Sequence, residues 1–465
     1  MTAVERPASG PAARGVALAF TAAVLGLAGP AAAQRKERAP KDDFGITLEP
    51  KVRLSCQLLA KSKTPDPKAL ELKYDEGLVV YEYKVLQALQ GSAPGPKVRV
   101  THWAVRRKLI QPVTGRKVGD TFILCLVPWA EVQPKLKDVC ISETLPVGDL
   151  PMFHDVGQQV LLPVDERGRW NYAVDIGGRL KPLIVLRNQL KLVVVGDCQA
   201  WFANNTEQYY GQENKRTPVA LGVWQEREGL QIWKPFVEDY LVHLPKLEWV
   251  VLMWNPRYVN ATWTYGAKAA AFLRSGGYQY DKQRAAEVFK PVAGPPLTTE
   301  QVLANPLIGG QWRRSPYNEI RGVKFGRSAR GEALSVQRKF GTYRFDPANW
   351  ALLESIARTL AQRKVKLLVV MEAVHPETAH LKVKDKSGVD EAGYKDQVAR
   401  LKAMENKYPG LFFCYDFNNG GDNGLADEDF GNIDHPTQTG AVKITRAIEA
   451  YRLKIEQELR GTAKR

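Results

Sequence analysis

Five short apolar runs in the second half of the chain limit its fold more than any other feature: 192–196, 219–223, 249–253, 366–371 and 411–415. Apolar on both alternating faces, they read as parallel strands buried from both sides. Helical spacing appears between them. Leu230, Trp233, Val237, Tyr240 and Leu241 share one helical face. Asp346-Pro347 reads as an N-cap with Pro in the first turn, and Trp350, Leu353, Ile356 and Leu360 follow at helical intervals. Tyr394, Val398, Leu401 and Met404 form a further face, ended by Pro409-Gly410, and a last helix is expected at about 438–459. This alternation predicts an α/β unit over 189–465, a doubly wound parallel sheet with helices on both faces. The stretch 258–345 is too long for a simple crossover and reads as an insertion covering one end of the sheet.

The first half has another rhythm. Tyr81, Tyr83 and Val85 alternate with Glu82 and Lys84, and Val98, Val100 and His102 alternate with Arg99 and Thr101. Residues 122–127 are apolar on both faces, and turns such as Pro94-Gly95-Pro96 separate the runs. Short strands of this kind predict a smaller β-rich domain over 46–188, a sandwich or barrel, with a hairpin at 159–176 around Glu166-Arg167-Gly168. No cluster of titratable groups is apparent there, so this half is assigned no catalysis.

The chain begins with a targeting pattern. Arg6 and Arg14 precede an apolar run over 15–28, and Ala31-Ala32-Ala33 supplies a small-residue cleavage site before Gln34. Residues 1–33 are therefore expected to be a signal peptide and 34–45 a charged linker. The run is too short and too rich in Ala and Gly for a spanning helix of about 20 residues. A periplasmic or extracellular protein is expected, not membrane-bound after cleavage, with an uncleaved anchor as the lesser alternative.

Composition narrows the partners. In 465 residues, 66 Lys and Arg against 50 Asp and Glu give a net charge of +16, which attracts anionic polymers in general. The basic residues fall in short separate pieces, and no nucleic-acid-binding pattern accompanies them, so nucleic acid is not expected as a partner. Five cysteines leave at least one thiol outside any disulfide. A bridge between two of Cys56, Cys125 and Cys140 is left open. No zinc spacing, calcium loop, phosphate loop or dinucleotide pattern is present, so neither metal nor cofactor is expected.

Ligands of open α/β sheets bind at the carboxyl ends of the strands. The first strand of the second half ends in Gly196-Asp197-Cys198-Gln199, and Asn432-Ile433-Asp434-His435-Pro436 stands just before the last helix. Over roughly 190–460 these motifs resemble the SGNH (GDSL-like) hydrolase superfamily, in the style of exported bacterial polysaccharide O-acetyltransferases and esterases. The resemblance implies a flavodoxin-like fold with strand order 2-1-3-4-5. It also implies a nucleophile at Cys198, a base at His435 and an orienter at Asn432. The oxyanion hole would comprise Cys198, Gly229 after the second strand and Asn255 after the third.

The sequence departs from the family pattern at these positions. Cys198 stands where the family has serine, Asn432 where it has aspartate, and Met253 and Pro256 flank the Asn255 motif unusually. One reading is a working Cys-His-Asn arrangement, because a thiol depends less than a hydroxyl on a charged orienter. The resulting expectation is an esterase or O-acyltransferase acting on acylated carbohydrate or a similar anionic extracellular polymer. The other reading is a decayed site on a glycan-binding or structural module. Trp201, Trp224 and Trp254 lie near strand ends and could stack on a sugar, though such residues more often pack in cores; Arg257 could hold an anionic group. His375 reads as a surface or loop-packing residue, and Asp422, Asp427, Glu428 and Asp429 as a solvated acidic loop. In the strand order that the resemblance implies, Cys198 and Cys414 end the first and fifth strands, too far apart for a disulfide.

Overall fold

The computed structural model describes residues 41–67, 75–146, 148–158, 160–162, 170–174, 176–206, 208–210, 217–225, 228–263, 266–292, 294–304, 343–375, 389–419, 422–432 and 435–462. The targeting segment, the expected hairpin tip at 166–168 and the part of the insertion over 305–342 lie outside them.

The first unit is a closed barrel. Strands β1 (Val52–Lys61), β2 (Gly77–Gln90) and β3 (Lys97–Arg106) pair antiparallel in turn. After the short β4 (Leu109–Ile110) comes β5 (Thr121–Pro128), which pairs with β1. Helix α1 (Trp129–Val132) and β6 (Cys140–Ser142) lead to β7 (Met152–Asp155). That last strand lies parallel to β3 and antiparallel to β5, so the ring closes as β1-β2-β3-β7-β5. Of the two expected β architectures, the barrel is the one observed. Leu54, Cys56 and Leu58 of β1 point inward with Tyr81 and Tyr83 of β2 and Leu124 and Leu126 of β5, the period-2 alternation turned into a core.

Helix α2 (Gly177–Val185) lies inside the expected β-rich boundary of 46–188 yet belongs to the second unit. Its Leu180 and Leu183 sit in the α/β core with Tyr172 and Ile176. The boundary therefore falls before Tyr172, where apolar spacing changes from two to helical.

The five apolar runs form the second unit's sheet. They are β8 (Leu192–Gly196), β9 (Ala220–Trp224), β10 (Trp249–Trp254), β11 (Lys366–Met371) and β12 (Phe412–Tyr415). All neighbours are parallel, in the order β12-β11-β10-β8-β9, which is 2-1-3-4-5 seen from the other edge. Val193, Val195, Val250, Leu252, Leu367 and Val369 face one core. There they meet α4 (Leu230–Asp239), α7 (Pro347–Gln362) and α8 (Glu391–Lys407). Leu192, Val194, Trp249, Val251, Leu368 and Val370 face the opposite core, against α3 (Cys198–Ala203) and the last helix, α9 (Gln438–Thr462). Each large side chain withdrawn from water in this way stabilises the fold by roughly 1.5–3 kcal/mol. The Asp346 carboxylate accepts from Ala348 N and Asn349 N, the expected N-cap of α7.

The insertion leaves and returns through one neck. Asn260 and Phe345 form an isolated antiparallel bridge, and Ala261 N donates to Arg344 O at 2.7 Å. Its helices α5 (Ala267–Arg274) and α6 (Gly276–Gln283) pack on α4 through Phe272, Tyr278 and Tyr240. Asp281 of α6 is buried, accepting from Tyr172 Oη at 2.7 Å and Tyr240 Oη at 2.8 Å. The Gln283 amide contacts both backbone groups of Ile110, so α6 also touches the barrel. Among the described residues no helix is long and apolar enough to cross a membrane.

Candidate active site

The carboxyl edge of the parallel sheet collects polar side chains that the core would otherwise exclude. Asp197, Gln225, Glu228, Asn255, Glu372, His375 and Asn418 are all buried there. Burying so many polar groups is costly unless each is held in place by hydrogen bonds.

Cys198 opens α3 directly after β8 and is half-buried. The turn needs glycine at 196, because a Cβ there would run into Ala200 of α3 and Met253 of β10. The result is a sharp strand-to-helix corner that presents residue 198 at the first turn of the helix. Asp197 is tied to the third strand: Asn255 Nδ2 donates to Asp197 Oδ2 at 2.7 Å. Asn255 Oδ1 accepts from Arg257 N at 3.0 Å, so both ends of the amide are oriented. Gly229 is buried at the N-terminus of α4, in extended backbone before the helix.

His435 begins β14 (His435–Pro436), which pairs antiparallel with β13 (Phe430–Asn432). In that register Asn432 stands opposite His435 along the backbone. The ribbon is anchored from behind. Asp429 is fully buried, its carboxylate receiving Ala426 N and the Lys443 ammonium at 2.7 Å. Gly440 lets α9 approach, since a Cβ there would overlap the Asp429 carbonyl. Helix α3 packs against both β14 and α9, which sets the Cys198 helix beside the His435 strand.

The other expected site residues divide. Trp254 is fully buried in the core, and its indole N–H donates to Gln397 Oε1 at 2.9 Å. It is a packing residue rather than a stacking platform. Trp224 is partly exposed with the Arg179 guanidinium 5.5 Å from its ring, and Trp201 lies within α3. Arg257 stacks its guanidinium on Trp263 at 4.6 Å. His375 is buried against Phe430 rather than on the surface. The acidic loop is not uniformly solvated either, because Asp429 is its buried anchor.

Several residues of this edge carry no sequence motif. Asn418 clamps the end of β11, donating to Glu372 O and accepting from Val374 N. That fixes the chain on which Glu372 and His375 are carried. Glu228 accepts from Gly266 N and Lys268 N, holding the start of α5 near the same edge. Among the described residues no cluster of His, Cys, Asp or Glu could hold a metal ion. Cys56, Cys125, Cys140 and Cys414 are free thiols, so no bridge forms within the first three, and none joins Cys414 to Cys198. Burial pushes the Cys56 and Cys414 thiols up to about 12.

The barrel does gather titratable groups, contrary to the sequence reading. Arg116 Nη1 donates to Tyr83 Oη at 2.9 Å, Tyr83 Oη lies 3.0 Å from His102 Nε2, and His102 Nδ1 lies 3.3 Å from Asp155 Oδ2. Arg116 Nη2 closes the ring at 3.7 Å from Asp155. Burial holds His102 below its usual range, and it holds His154 down at about 4 with help from the neighbouring His102. His102 is therefore the neutral partner of an ionised Asp155, whose carboxyl is kept low by His102 and Arg116 against the opposing effect of burial. With Tyr83, His102 and Asp155 buried and only Arg116 partly exposed, this network braces the barrel interior.

No family model matches the chain, and no curated protein matches it. Among solved structures it is similar to a GDSL-like lipase from Bacteroides thetaiotaomicron, with 11% identity, a TM-score of 0.31, and 61% of this chain and 98% of that chain covered.

Proposed function

We propose that the chain is an exported SGNH-like esterase or O-acyltransferase acting on acylated carbohydrate or a similar extracellular polymer. The observation that supports this reading is the packing of the helix that Cys198 opens, at a strand-to-helix corner, against the short strand that His435 begins. The Cys198 thiol attacks the ester carbonyl as His435 takes its proton. The oxyanion is received by the amide N–H groups of Cys198 and Gly229 and by the Asn255 side chain. As the intermediate collapses, the carbon–oxygen bond breaks and the alcohol leaves with the proton from His435, giving a thioester. Water or a sugar hydroxyl, deprotonated by His435, then takes the acyl group and frees the thiol. Asn432 orients the imidazole in this scheme, and Arg257 is the candidate for holding an acidic group of the polymer.

The test is turnover of acetylated oligosaccharides by the purified chain and by Cys198→Ala. The proposal expects release or transfer of acetate by the wild type and its loss in the variant. Equal background rates across the panel would leave a binding module as the function.

A further inference from the structure

The first described segment of the chain is a small hairpin seated on the barrel. Lys41 and Thr47 form an antiparallel bridge, and Asp42 Oδ1 accepts from Phe44 N at 3.0 Å and Ile46 N at 2.8 Å. Gly45 at φ +71 completes the turn. The tip is thus braced from within and presents a carboxylate and a phenyl ring side by side, Asp43 and Phe44.

Both land on one barrel residue. Arg106, at the end of β3, is 2% exposed. Its Nη2 lies 2.6 Å from each Asp43 oxygen. Its guanidinium lies over the Trp103 ring at 4.1 Å and the Phe44 ring at 4.9 Å, and the two rings pack against each other beside it with centroids 5.1 Å apart. Glu76 Oε2 lies 2.7 Å from Nε as a second ion-pair partner. A guanidinium fixed against an indole face, with one edge turned to a carboxylate, is the chemistry that recognises an acidic group carried on a ring. Asp43 is 46% exposed, so the ion pair is reached from solvent on its outer side.

We propose that Trp103 and Arg106 form a binding site for a carboxylated sugar residue, and that the 41–47 hairpin occupies this site in cis as a stand-in for the ligand. A uronate would place its carboxylate where Asp43 now lies and its ring against the indole or in the place of Phe44. The hairpin and the polymer then compete, and the net charge of +16 concentrates polyanions near the surface without choosing among them. The site lies on the barrel and stands independently of the acyl-transfer reading.

The experiment measures binding of polygalacturonate to the full chain, with fully methyl-esterified polygalacturonate as the neutral control. Asp43→Ala with Phe44→Ala should tighten binding at least tenfold over wild type and leave the neutral polymer unbound. Adding Arg106→Lys keeps the net charge but removes the fork, and it should abolish the gain. Two results would overturn the proposal. A folded double variant that binds no more tightly than wild type would make the hairpin an internal brace only. A gain that persists with Lys at 106 would assign the binding to the general basic surface. Should the double variant not fold, Asp43→Asn is compared with wild type in the same assay, and absence of tighter binding counts equally against the site.

Discussion

Asp197 and Asn255 occupy adjacent strand ends, and each is useful to the site only in the orientation the other imposes. Asp197→Ala would leave the buried Asn255 amide without its acceptor, at a stability cost of about 1–3 kcal/mol. Under the proposed chemistry it should also lower kcat by roughly 10²-fold, the effect of losing one oxyanion donor, with KM little changed. Asp197→Asn keeps an acceptor oxygen at the same place and should recover much of the rate. Cys198 and Asn432 offer a second residue-level test. Cys198→Ser should lose most activity, because a hydroxyl needs a stronger base system than a thiol. Adding Asn432→Asp should recover part of it, with a coupling on the order of 0.5–3 kcal/mol. Strictly additive rates, measured on one acetyl ester at one pH, would remove Asn432 from the orienting role. The motifs around residues 198 and 435 were legible because each is continuous in sequence. The Asp197–Asn255 pair was not, because its members lie 58 positions apart and neither residue type signals the other.

At the scale of elements, the parallel strands were the most legible part of the chain. β8 and β11 have the bounds that their apolar runs suggest, β10 and β12 shift by one residue at one end, and β9 shifts by one at both. Burial on both faces leaves a continuous apolar word that no helix of that length imitates. The barrel's polar ring was invisible for the opposite reason. Tyr83, His102, Arg116 and Asp155 come from distant segments and meet only after the barrel closes. Trp254 shows another limit, since an aromatic residue at a strand end reads the same whether it faces a cleft or, as here, a buried glutamine. The ribbon that carries His435 depends on close approach at Gly440. Gly440→Ala should push α9 away from Asp429 and destabilise the protein by on the order of 1–3 kcal/mol. Thermal melting checks the stability loss, and a fall in any Cys198-dependent turnover should accompany it.

The whole molecule combines two units whose buried acids and bases titrate in opposite senses. His154 takes up a proton near 6.5 when unfolded but only near 4 in the barrel, chiefly because it is desolvated. Barrel stability should therefore fall as pH drops from 6.5 towards 4. Asp281 is pushed up to about 6 by burial, against an ordinary value of 3.8, so it keeps its proton longer in the fold than in the open chain. Its contribution is lost as pH rises from 3.8 to 6. Each effect is on the order of 3 kcal/mol across its window. Denaturation followed against pH should show Asp281→Asn removing the loss on the alkaline side of that window. His154→Gln should relieve the loss on the acid side. If neither substitution changes the slope, these two groups do not govern the acid response.

The neck at Asn260 and Phe345 has a consequence for the history of such chains. The sheet senses only the distance between the strand that leaves and the one that returns, and that distance is set by hydrogen bonds at the neck itself. The number of residues beyond it enters only through loop entropy, where each doubling adds roughly 0.6 kcal/mol. Phe289 and Val302, past α6, are still buried in the α/β core, so length can change with little effect on the strands only beyond residue 304. Relatives of this chain should differ in length there before they differ anywhere in the sheet.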